Sequence, residues 1–269
     1  MPQEIQNQIY GLVFAELVHV QYDIVSHRLA HHVCRSPLSE RESYEAFMSS
    51  NTGVRGGNDK EWICSPDKSM PFALLRVNHR ISKAAKSMAI ESTTFSFSSP
   101  DSVVQFIHRL PGTQPSLVRK IQLDMTMGNG FEIAKWGWAI AYALLPRLVN
   151  VRHIYLCLRV RTAMLWTGGY AISDIVEELD WMRPVVALVQ LSLWSATVII
   201  AEIPAREPSN IAINPNYAPY PIPHSYYGPS YVNHYLGADA HQPGLSSSDQ
   251  HTLNKDFAEY IRKKLLRED

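Results

Sequence analysis

Apolar positions recur at two periods along the chain, and the switches between them mark the predicted elements. In PQEIQNQIYGLVFAEL, Ile5, Ile9, Val13 and Leu17 fall at intervals of four, with Leu12 beside them and Pro2 suited to a first turn. That segment reads as an amphipathic helix. From His19 to Met70 the pattern weakens: a helical patch around Ile24 to Val33 gives way to SSNTGVRGGNDKEW, whose Gly, Asn and Asp residues mark a long exposed loop. A second helical stripe then runs through Leu74, Val77, Ile81, Ala84 and Met88, with Arg76, His79, Arg80, Lys83 and Lys86 on its other faces.

Beyond it, two-residue and helical periods alternate. TTFSF at Thr93–Phe97 is a strand, followed by a helix that Ser99 caps, Pro100 opens, and Pro111 and Gly112 end. VRKIQLDM at Val118–Met125 is the next strand, and a helix from Glu132 to Leu145 follows, closed by Pro146. VRHIYLCLRV at Val151–Val160 precedes a helix from Ser173 or Asp174 to Met182, and ALVQLSL at Ala187–Leu193 is the last strand. Aligning Thr94, Ile121, Ile154 and Val189 gives steps of 27, 33 and 35 residues, the length of a strand plus crossover helix. Ile121, Leu123, Ile154, Leu156, Leu158, Leu191 and Leu193 share the apolar face under that alignment. The other face takes Gln122, Asp124, His153, Tyr155, Cys157, Gln190, Ser192 and Trp194. One-sided alternation fits a curved, leucine-rich-repeat-like solenoid better than a doubly wound sheet, whose strands are apolar on both faces.

The remaining segments complete the layout. Pro204 to Gln250 is rich in Pro and Tyr and nearly uncharged, a composition that builds no core of its own and predicts an extended or disordered linker. Leu253, Phe257, Ile261 and Leu265 restore helical spacing in the last segment, with Arg262, Lys263, Lys264 and Arg267 as a solvated basic face. The expected organisation is α/β: a helical head over 1–90, a repeat domain over 91–203, a linker over 204–250 and an amphipathic helix over 251–269.

Composition narrows the function classes. Lys plus Arg and Asp plus Glu both number 25, so no global field gathers nucleic acid or an anionic membrane. Three cysteines, Cys34, Cys64 and Cys157, form no CxxC pair, and the first thirty residues lack the pattern of a signal peptide, so cytosol or nucleus is the expected compartment. Pro184–Ala201 is uncharged and reaches the minimum length of a membrane helix, but its alternation and β-branched residues favour strand.

Candidate chemistry is sparse. His27 and His31 stand four apart near His32 and Cys34, yet no acidic residue or second Cys completes a metal set, and an exposed polar face is the better reading. GVRGGND lacks the Lys-Ser/Thr ending of a phosphate loop, and no GxSxG elbow occurs. No cofactor, metal or catalytic residue is therefore expected.

Two segments carry a family resemblance. MPQEIQNQIYGLVF resembles an opening F-box helix, and ALLRVNHRISKAAKSMAIESTTFSF is similar to the next block of fungal F-box-like proteins, in which LLRVNHRI takes the place of the last F-box helix. The resemblance implies an F-box-like head in which Pro2, Glu4, Ile5, Gln8 and Ile9 meet a Skp-family linker, and with it a cullin. TTFSF would then open a recognition domain that brings a substrate to an SCF-type ubiquitin ligase. On the repeat alignment, Gln122, Asp124, His153, Tyr155, Gln190, Ser192 and Trp194 are the expected partner-binding row. Two alternatives stand beside this: a scaffold without a ligase link, and an enzyme on a parallel α/β sheet with a polar pocket at its strand ends.

Overall fold

Alternating apolar residues in successive segments build a single six-stranded sheet. The computed structural model describes residues 17–34, 87–127, 130–160, 172, 179–202 and 247–268. Strands β1 (Leu17–Asp23) and β2 (Arg28–Cys34) form an antiparallel hairpin. Strands β3 (Thr94–Phe97), β4 (Lys120–Met127), β5 (His153–Val160) and β6 (Ser195–Glu202) join β1 in parallel, giving the order β2-β1-β3-β4-β5-β6. Register places Phe95, Ile121, Ile154 and Ala196 side by side, so one apolar row crosses the parallel strands.

The helices supply the other half of the core. Helix α1 (Pro100–Arg109) starts where Ser99 accepts the Ser102 backbone N–H at 3.2 Å, with Pro100 in its first turn. It stops before Gly112, whose φ of +53° is a left-handed turn that glycine adopts without strain. Phe106 of α1 stacks on Phe95 and Phe97 at centroid distances of 4.8 and 5.2 Å. Helix α2 (Gly130–Trp138) continues into a π-helical turn at Ala139–Leu144, and Ile133, Trp136, Ile140 and Leu144 face the same core. A short helix α3 (Arg183–Ala187) adds Val185, and α4 (Ser247–Leu266) buries Phe257, Ile261 and Leu265, with Phe257 against Trp181 at 5.9 Å. Strands β3 to β6 are added in sequence to one growing edge, and crossovers of one hand then lay their helices on one face.

Several sequence expectations are corrected. The patch from Ile24 to Val33 is a hairpin rather than a helix, and His27 and His31 lie in its turn and in β2 instead of on one helix face. Val18 and Val20 bury themselves beside Phe95 and Phe97, and Asp23 holds the turn by accepting the Val25 N–H at 2.9 Å and the Ser26 hydroxyl at 2.6 Å. Tertiary pairing outweighed the spacing of four. Leu17, assigned to the first helix, begins β1; residues 1–16 lie outside the described residues, as do those of the long loop and of the linker up to 246.

The expected strand Ala187–Leu193 is also overturned. Pro184 opens α3, Leu188–Gln190 is a 3-10 turn, and the strand begins at Ser195. Val185, Leu188 and Leu191 are all buried at a spacing of three, which competed with the two-residue reading of Val189, Leu191 and Leu193. Ile121 pairs with Phe95 rather than Thr94, and its equivalent in the last strand is Ala196 rather than Val189. The uncharged run Pro184–Ala201 is thereby split among three elements, and among the described residues no helix is long and apolar enough to cross a membrane.

Candidate functional site

The repeated sequence Val-Arg-basic-Ile lies at the entry to two adjacent strands. In both copies the valine (Val118, Val151) and the isoleucine (Ile121, Ile154) are buried, which fixes the intervening Arg119–Lys120 and Arg152–His153 at the sheet's end. A hydrogen-bond ladder sets their spacing. The Arg119 carbonyl accepts the N–H groups of Arg152 and His153 at 2.8 and 3.0 Å, and the Arg152 carbonyl accepts those of Trp194 and Ser195 at 2.7 and 3.1 Å. Arg119, Arg152 and Trp194 therefore occupy equivalent positions, each one residue ahead of its strand.

Their side chains line an open groove of about 550 Å³ at the N-terminal ends of the strands. Lys120 and His153 also line it, together with Glu91 and Ser92 from the helical residues 87–92. Arg119 is tied through Nη1 to the carbonyls of Ser116 and Asn150 at 3.1 and 3.3 Å, and Asn150 donates to the Ser116 carbonyl at 2.9 Å. Arg152 donates through Nη1 to the Ser192 carbonyl at 2.9 Å. The Trp194 ring is 75% exposed, meets His153 edge-on at 6.1 Å, and lies beneath the Arg152 guanidinium at 5.7 Å.

The expected partner-binding row divides into three groups. Gln122 pairs in register with Tyr155 on the face opposite Ile121 and Leu156, both half-buried, while His153 stands one pair nearer the groove beside Lys120. Asp124 shares that face but is only 5% exposed, so the expectation of an exposed recognition residue there is corrected. Its carboxylate accepts a bidentate pair from Arg159 Nε and Nη2 at 3.1 and 3.0 Å. Burial by itself would lower the Arg159 pKa, and the Asp124 carboxylate more than reverses this, holding it above the ordinary arginine value. Gln190 and Ser192 are exposed but belong to the turn before β6, and Ser195 and Thr197 take the register positions beside His153 and Tyr155. Trp194 reaches the site from the residue before β6 rather than from within a strand.

Cys157 offers no nucleophile. It is fully buried next to Asp124, and burial pushes its thiol up to about 12 despite the lowering influence of Arg159. Pro2, Glu4, Ile5, Gln8 and Ile9 lie outside the described residues.

Sequence reasoning missed Arg119, Lys120 and Arg152. Their signal was the duplicated Val-Arg-Lys/His-Ile, visible in the two strand segments but read there only for its apolar members. Compared with protein-family models, curated proteins and solved structures, the chain matches none of them.

Proposed function

We propose that this chain is a non-catalytic protein-interaction module, a degenerate F-box-like head followed by a leucine-rich-like recognition domain that presents a substrate to an SCF-type ubiquitin ligase. The observation that carries the interaction reading is Trp194, a large ring left 75% exposed yet oriented by His153 and Arg152 at the mouth of a groove. Tryptophan and arginine are the residues from which interface energy is most often drawn. The sequential parallel order of β3 to β6 supports the solenoid-like description. The groove lies at the N-terminal strand ends, away from the carboxyl ends at which parallel α/β enzymes build their sites.

Two measurements test the two halves of this reading. Trp194→Ala leaves the melting temperature nearly unchanged and removes a protein that co-purifies with the unaltered chain from its native cell. If no co-purifying protein depends on Trp194, the recognition reading falls. For the head, Pro2→Ala with Glu4→Lys abolishes binding to a purified Skp-family linker. If the unaltered chain binds no such linker, the ligase link is lost and a stand-alone scaffold remains.

A further inference from the structure

We infer that the groove between Glu91 and the strand entries receives a short acidic segment of the protein partner, with carboxylates on Arg119, Lys120 and Arg152 and an apolar neighbour on Trp194. The inference rests on the interaction reading above and supplies its chemistry.

Charge complementarity is the first argument. Three basic side chains, Arg119, Lys120 and Arg152, line the groove against a single carboxylate, Glu91, in a chain whose overall charge is zero. Such a local excess attracts a short anionic determinant, while the zero net charge of the chain supplies no wider field for a long polyanion. Preorganisation is the second. Both arginines are anchored through Nη1 to backbone carbonyls, which leaves the Nη2 edge of each planar fork for an incoming carboxylate. The Lys120 side chain forms no hydrogen bond or ion pair among the described residues, so its ammonium is available without breaking a contact. Size is the third. A volume of about 550 Å³ lies in the range of small-ligand sites, room for a few side chains rather than a folded domain. The exposed face of Trp194 adds an apolar contact beside the charges.

The test is fluorescence anisotropy with the full chain and three labelled probes: a short Glu/Asp-rich peptide containing one Phe, its Gln/Asn counterpart, and a short oligothymidylate. The acidic peptide binds and the neutral one does not. Lys120→Glu weakens the acidic peptide about tenfold, and raising salt from about 50 to about 500 mM weakens it further. Trp194→Ala also weakens it, and circular dichroism verifies that each variant is folded. If Lys120→Glu does not fold, Lys120→Gln with Arg119→Gln replaces it, with the same direction expected. Equal binding of the neutral peptide, or indifference to the charge variants, overturns the inference. Tighter binding of oligothymidylate overturns it as well, by assigning the groove to nucleic acid. A Trp194-dependent protein that still co-purifies after a negative peptide result shows that the chemistry assigned to the groove has failed and the interaction reading has not.

Discussion

The two faces of the sheet are built from the same strands and are held together by different forces. On the helix-covered face, Ile121, Leu123, Met125 and Met127 of β4 are fully buried beside Ile154, Leu156, Leu158 and Val160 of β5. On the other, the same strands place Gln122, Asp124, Tyr155, Cys157 and Arg159, and here too burial is deep in places: Thr94, Ser96 and Asp124 are at most 5% exposed. The first face gains from every apolar area removed from water, at about 25 cal/mol per Å². The second gains little from burial itself and depends on each polar group keeping its partner. Burial therefore means opposite things on the two sides: loss of volume damages one, loss of a partner damages the other.

The sharpest break of that comparison is Leu156→Ala. A fully buried leucine at the centre of the helix-covered face leaves a cavity and costs about 3 kcal/mol in urea unfolding. A cost below about 1 kcal/mol would show that the face is not close-packed.

On the opposite face, Asp124→Ala leaves the Arg159 guanidinium without its carboxylate. Because the Arg159 side chain is 30% exposed, water recovers part of the loss, and the expected cost is about 2 kcal/mol rather than that of a fully buried pair. Replacing both partners, Asp124→Leu with Arg159→Met, recovers most of it. If the double variant is no more stable than the single, the cost comes from volume, and the two faces do not differ as described.

The smallest effect is a pH dependence. The folded chain holds the Cys157 proton more tightly than the unfolded chain, with a pKa near 12 against 9.0. Its contribution is therefore fully present below pH 9 and is lost as pH rises from 9 towards 12. Urea midpoints at about pH 7 and about pH 10 should fall more for the unaltered chain than for Cys157→Ala, and native Cys157 should resist thiol reagents. Equal falls would place the thiol in contact with water.

The alternation in β4 and β5 was legible because each apolar residue there lies on one face for the whole strand, so Ile121, Leu123, Ile154 and Leu156 separated from Gln122 and Tyr155 by local period alone. The cap at Ser99 was legible for the same reason, since a serine before Pro100 meets its backbone partner within one turn. In the candidate site, His153 and Trp194 were named from strand alternation, although Trp194 was placed on the wrong element. The groove's arginines went unread because a basic residue beside a strand is ordinary until the neighbouring strand sets another next to it.

By itself the sequence determined the two periods and the side of β4 and β5 that turns inward, which are properties of residues a few positions apart, and the charge balance, which is a sum over the whole chain. Only the tertiary structure decided that Leu17–Asp23 and Arg28–Cys34 pair as a hairpin, that the last strand starts at Ser195, that Asp124 finds Arg159, and that Arg119, Arg152 and Trp194 stand in one row. Each of these depends on which segments lie side by side, and strand pairing is selected by the burial and hydrogen bonding of the whole sheet, which no local period encodes.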